Sequence, residues 1–120
     1  MRHEVMDALL ELRSPFALYE KDIHGWVAAR LKDAGLPYLH EARIGKGCRI
    51  DFLVGNVGIE IKKGKPIPAV LAAQLKRYAA CADVDSLIVL TQRNVKLPKT
   101  VMGKPVDQIT LSQLWGVALP

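Results

Sequence analysis

Three side chains in the stretch RIDFLVGNVGIEIKKG, residues 49–64, stand out from the strand-forming residues around them: Asp51, Glu60 and Lys62. Their neighbours Ile50, Phe52, Leu53, Val54, Val57, Ile59 and Ile61 are aliphatic, β-branched or aromatic, as buried strands require. Gly55-Asn56 is a dipeptide that closes a two-residue hairpin. With that turn Val54 faces Val57, and counting outward sets Asp51 opposite Glu60, with Cβ atoms about 4.5–5.5 Å apart. Lys62 lies two residues beyond Glu60 and shares its face with Asp51 and Leu53, while Ile59 and Ile61 point the other way. Opposed carboxylates repel, which raises one pKa or recruits a cation. Hard ions such as Mg²⁺ take carboxylate oxygens and keep several waters, leaving room for a phosphate. An ammonium beside them can hold that phosphate or position an attacking water. Two blander arrangements stand alongside this one. The face can be a solvated one on which Lys62 neutralises its acidic neighbours, or a four-residue GNVG turn can pair Asp51 with Lys62.

Two further segments carry polar groups on apolar faces. Glu20 shares a helical surface with Phe16, Ile23 and Val27, so it leans toward the core, where a carboxylate is costly unless paired or bound to a cation. His24, one turn on, is a candidate partner, and the alternative is a boundary glutamate reaching solvent. Gln74 and Tyr78 are four residues apart on a surface that also bears Val70 and Cys81. A buried amide and phenol need partners, and a DNA phosphate or a metal-bound water would serve. An amphipathic helix with one polar edge is the ordinary alternative. His3 and His40 are read as surface or hydrogen-bonded residues.

The elements that must position these groups follow from periodicity and turn residues. A short helix is expected over residues 3–13. Ser14-Pro15 then caps a second helix running to Gly35, with Phe16, Tyr19, Ile23, Trp26, Val27, Leu31 and Ala34 as its apolar stripe. Strands are expected at 38–44, 49–54 and 57–63, the first two joined by the GKG turn at 45–47. Pro66 and Pro68 introduce a helix over 68–82, and SLIVLT, 86–91, reads as a fully buried strand. A basic loop is expected over 93–104, then a strand near 106–110 and a short helix through LSQLWGV. The order ααβββαββα is an α/β arrangement on a mixed sheet.

At 120 residues the chain is expected to be one domain, residues 1–120, without repeats or linkers. It carries 17 Lys and Arg against 12 Asp and Glu, a formal charge of +5, and a small basic domain suits a polyanionic partner. No apolar run is long enough to span a bilayer and MRHEVMDALLELR lacks a signal-peptide core, so a cytoplasmic location without a membrane partner is expected. Cys48 and Cys81 form no CxxC pair and read as reduced thiols.

Taken in order, Glu20 on a helix, Asp51 on a strand, Glu60-Ile61-Lys62 on its hairpin partner, and Gln74 with Tyr78 on the next helix resemble the PD-(D/E)XK nuclease superfamily across residues 15–91. Residues EIK at 60–62 match the (D/E)XK element, and QLKRY at 74–78 is similar to the QxxxY element of RecB-type exonucleases. Ile50 stands where the name-giving proline would precede Asp51. The resemblance implies a restriction-endonuclease-like core, a central mixed sheet flanked by helices, and a Mg²⁺- or Mn²⁺-dependent DNA nuclease serving repair, recombination or mobile-element DNA processing. It implies that Glu20, Asp51 and Glu60 hold the metal with the Ile61 carbonyl, and that Lys62 orients water and stabilises charge on the phosphate. Gln74 and Tyr78 would position the substrate backbone. Arg43, Lys46 and Arg49 around the first turn, Lys63 and Lys65 after the site, and Lys96, Lys99 and Lys104 further on fall where DNA can run. Such contacts give affinity without reading sequence. Two subtypes are compatible: a dimeric Holliday-junction resolvase, and an enzyme of single strands or ends. The apolar segment LWGVALP offers a surface for a homodimer. Beyond the nuclease, a non-catalytic nucleic-acid-binding module of the same fold and a structural α/β protein remain as alternatives.

Overall fold

Gly55 adopts φ +58° and Asn56 stays out of the positive-φ region, the φ pattern of a type II′ turn, whose twist matches that of the strands it joins. Only glycine enters that first turn position without steric strain. The turn sets the register that everything else follows: Val54 pairs with Val57, Leu53 with Gly58 and Phe52 with Ile59. The two-residue turn therefore holds, and the four-residue GNVG alternative does not.

The computed structural model describes residues 1–11 and 20–112, the side chains of residues 20–22 excepted. Helices α1 (Arg2–Leu10) and α2 (Glu20–Asp33) precede strands β1 (Leu39–Gly45), β2 (Cys48–Val54) and β3 (Val57–Lys62). Helix α3 (Pro68–Ala79) then leads to β4 (Ser86–Thr91), β5 (Thr100–Val101) and β6 (Lys104–Thr110). The six strands form one mixed sheet in the order β1-β2-β3-β4-β6-β5. β1, β2 and β3 are an antiparallel meander, while β3–β4 and β4–β6 are parallel. This is an α/β fold. Among the described residues no helix is long and apolar enough to cross a membrane.

The sheet separates two apolar layers. On one face α1 and α2 bring Val5, Leu9, Ile23, Val27 and Leu31 against Phe52, Val54, Val57, Ile59 and Ile61. On the other, Leu71, Leu75 and Tyr78 of α3 pack on Ala42, Ile50, Leu87 and Val89. Every residue of β4 is buried, as a continuous apolar run covered on both faces requires. Gly58 lies under α3, where a Cβ would stand 2.5 Å from Ile50 Cδ1 and 3.0 Å from Leu87 Cδ2. Both neighbours are fully buried. Gly58→Ala is therefore expected to cost on the order of 1–2 kcal/mol, read as a lower denaturation midpoint with an unchanged m-value.

Side-chain alternation breaks at Asp51. Phe52 and Val54 face α1 and α2, yet Ile50 packs on the α3 side with Leu53. The facing strand switches at the same level, since His40 stacks on Phe52 while Ala42 joins the α3 layer. Between them Glu41 adopts φ +52°, a left-handed conformation that costs a non-glycine residue about 1 kcal/mol or more. The distortion sits where a carboxylate has to leave the plane of a packed sheet.

Several expected boundaries shift. The helix at 68–82 ends at Ala79, where the Lys104 ammonium donates to the carbonyls of Cys81 and Val84 just past its C-terminus. Lys104 is thus part of β6 and bonded to backbone, rather than lying on a basic loop. The expected loop at 93–104 also contains β5, because Met102 and Gly103, at φ +52° and +75°, close a tight hairpin. The order over the described residues is accordingly ααβββαβββ. Residues 15–19 of the second expected helix, most of the expected terminal helix and all of the LWGVALP surface lie outside the described residues.

Candidate active site

β3 presents Glu60 to α3, and α3 returns Gln74 and Tyr78 from successive turns of one face. All three meet at one oxygen. Glu60 Oε2 lies 3.0 Å from Gln74 Nε2, 3.0 Å from the Tyr78 hydroxyl and 3.1 Å from Lys62 Nζ. Gln74 also donates to the Tyr78 oxygen at 2.7 Å, and the Arg49 carbonyl is a second acceptor for the tyrosine hydroxyl at 3.1 Å. The Tyr78 pKa is pushed up by burial and then by the Glu60 charge, so the phenol stays a neutral donor.

Asp51 and Glu60 are next in register beyond the Phe52–Ile59 pair, and side chains replace the ladder there. The Ile61 N–H donates to Asp51 Oδ2 at 2.7 Å, and the Asp51 N–H donates to Glu60 Oε1 at 3.3 Å. Each carboxylate is thus tied to the opposite strand at the level where the alternation breaks.

Glu60 is 4% exposed. Burial and then the Asp51 charge push its carboxyl up to about 7, against the pull of the Lys62 ammonium and the Tyr78 hydroxyl. A carboxyl held near neutrality between a second carboxylate and an ammonium is a candidate functional group. Lys62 is half-buried, with its nitrogen in the site and its stem along a cleft of about 130 Å³ shared with Pro66, Ile67, Val70, Leu71 and Gln74. Ile67 and Val70 are largely exposed there.

The structure thus brings together Asp51, Glu60, Lys62, Gln74 and Tyr78, and the backbone of Ile61. Gln74 and Tyr78 find their partner in Glu60 itself. The Glu20 backbone opens α2, and its side chain lies outside the described residues. Arg43 and Arg49 pair directly across β1 and β2, both exposed, with exposed Lys46 in the adjoining turn. Like charges opposed on a sheet are unfavourable without a counter-anion. Lys63 and Lys65 are exposed on the segment that follows β3. Among the described residues, no group of three or more His, Cys, Asp or Glu is arranged to hold a metal ion.

Sequence reading named His24 only as a partner for Glu20 and His40 as a surface or hydrogen-bonded residue, and it overlooked Gln92. His24 reaches Asp51, with Nε2 3.8 Å from Oδ2, and His40 meets His24 ring to ring. Gln92, buried at the end of β4, accepts the Gly64 N–H at 2.7 Å and so pins the segment bearing Lys62, Lys63 and Lys65. A lone glutamine after a buried strand carries no sequence signal of that role. Comparison of the chain with family models, with curated proteins and with solved structures returns no match.

Proposed function

We propose that this chain is a divalent-metal-dependent DNA phosphodiesterase whose sheet and helices form a restriction-endonuclease-like core. The observation that carries the reading is Glu60: a buried carboxylate beside Asp51 and Lys62, where ionisation is disfavoured until positive charge is supplied. A merely structural role is served better by an apolar side chain of the same size.

The donor set fits Mg²⁺ or Mn²⁺. Asp51, Glu60 and the Ile61 carbonyl are hard oxygen donors, and Glu20 is the further carboxylate of the reading. Once bound, such an ion lowers the pKa of a coordinated water and polarises the phosphoryl oxygen. Lys62 orients the attacking water and balances the charge that grows on the phosphate. Tyr78 and Gln74 hold Glu60 in one rotamer, and Gln74 also faces the cleft beside Lys62, where the substrate backbone would pass. Arg43, Lys46, Arg49, Lys63 and Lys65 bind phosphates flanking the one cleaved, and the opposed Arg43–Arg49 pair gains most from a bound polyanion.

The test is cleavage of end-labelled four-way junctions, linear duplexes and single strands with Mn²⁺, with Mg²⁺ and with chelator. Cleavage only with metal is the expected result, and the substrate cut fastest assigns the subtype. Mn²⁺ is also expected to raise the melting temperature, because an ion at about ten times its Kd adds about 1.4 kcal/mol to the folded state. DNA binding that survives Asp51→Ala, in a protein that never cleaves with metal, would instead make this a binding module. A melting temperature indifferent to millimolar Mn²⁺ would remove the metal centre altogether.

A further inference from the structure

The chain has two cysteines, and folding brings them together. Cys48 opens β2, and Cys81 follows the C-terminal end of α3. Both are free, half-buried and packed at the margin of the α3-side core layer, so a small reagent can reach them. Gly45, which pairs with Cys48 across the β1–β2 turn, makes the room for the meeting. A Cβ at Gly45 would stand 3.1 Å from Cys81 Sγ and 3.7 Å from Cys48 Cβ, so both side chains border the space that the glycine leaves. The Cys48 thiol hydrogen-bonds to the Cys81 sulfur, which in turn donates to the Arg77 carbonyl at 3.4 Å. Burial and then the bond to Cys81 push the Cys48 thiol up, so at neutral pH it stays protonated. Sulfurs already in contact need little backbone movement to be bridged.

Their place in the fold gives a bridge a consequence. The carbonyl of Arg49, next to Cys48, accepts the Tyr78 hydroxyl, and the Cys81 N–H donates to the Tyr78 carbonyl at 3.0 Å. A Cys48–Cys81 bond spans the gap between β2 and α3 that the tyrosine already crosses. It fixes α3 where that helix presents Tyr78 to Glu60.

We propose that Cys48 and Cys81 form a dithiol modification site, which a low-molecular-weight disulfide such as oxidised glutathione converts into a reversible bridge between β2 and the end of α3. One thiol loses its proton and attacks a sulfur of the reagent, expelling a thiolate and leaving a mixed disulfide. The second thiol then loses its proton and displaces the other half. Two protein S–H bonds become one S–S bond, the reagent's S–S bond is reduced, and the two protons end on the two expelled thiolates. The site shares no residue with the Asp51–Glu60 centre and does not rest on the phosphodiesterase reading.

Equilibration in mixtures of reduced and oxidised glutathione, followed by acid quench and mass spectrometry, tests the site. The expected product has lost two hydrogen atoms within one chain, carries little glutathione and reverts in excess reductant. Cys48→Ser and Cys81→Ser are each expected to stop at the glutathione adduct. Because folding holds the thiols together, the same glutathione ratio in urea should leave the bridge roughly 100-fold less favoured. By the same linkage the bridged protein is expected to melt about 10 °C above the reduced one. The proposal is overturned if the native chain carries glutathione on both thiols, if neither thiol reacts, if bridges form only between chains, or if the bridge forms as readily in urea.

Discussion

Lys62→Ala is expected to lower Mn²⁺-dependent cleavage by about 10²–10³-fold while leaving the Mn²⁺-induced rise in melting temperature in place. The ammonium sits 3.1 Å from Glu60 Oε2, close enough to serve both a water and a phosphate oxygen, and it is not itself among the oxygen donors. Asp51→Ala is expected to lose both cleavage and the thermal response, because it removes a donor. The contrast between the two variants separates charge stabilisation from ion binding. Lys62 also holds the Glu60 pKa down, so its removal leaves Glu60 more readily protonated at neutral pH. Part of the loss in Lys62→Ala should therefore return as pH rises from 7 to 9. A flat pH profile in that variant would mean that Lys62 acts on the substrate alone, and full activity would end its role.

The second large effect is on stability. In the folded chain the Glu60 carboxyl is raised from 4.5 to about 7. Below the lower value the group is protonated whether the chain is folded or not. Between the two values the folded state keeps a proton that the unfolded state has released, so stability falls as pH rises through this window. Above about 7 the whole penalty is present, about 3 kcal/mol for a side chain that is only 5% exposed. Glu60→Gln carries no such penalty, and its amide oxygen can accept from Lys62, Gln74 and Tyr78. In chelator, Glu60→Gln is expected to match the parent near pH 4.5 and to exceed it by about 3 kcal/mol at pH 8, measured by urea unfolding. An inactive variant more stable than its parent is what a functional charge predicts. Equal stabilities at both pH values would show that Glu60 ionises freely, and would remove the main support for the site.

Much of the frame was legible because it rests on local chemistry. Gly55-Asn56 allows a turn type that few other dipeptides accept, and that turn sets the parity that puts Glu60 and Lys62 on one face, although Asp51, where the alternation breaks, departs from the face expected for it. SLIVLT reads as a buried strand since it offers no polar face, and Pro68 with the alanine-rich run after it marks α3. Gln74 and Tyr78 share a helical face by spacing alone. The hairpin at Met102-Gly103 stayed hidden, because methionine gives no sign of a left-handed conformation. Lys104 read as a loop lysine for a related reason: nothing nearby in the chain reveals carbonyls left exposed by a helix that ends more than twenty residues earlier.

By itself, then, the sequence determined which side chains are available for chemistry, the face that Glu60 and Lys62 share and the order of elements from α2 to β4 that carries them. Those properties follow from turn residues and periodicities of 2 and 3.6 residues, which act over a few positions. Only the tertiary structure decided that Gln74, Tyr78 and Lys62 converge on one Glu60 oxygen, that β1 and β2 distort together at Glu41 and Asp51, and that His24 meets His40. Each of these joins separate elements whose distance and tilt come from packing across the sheet, and no local pattern in the chain encodes that packing.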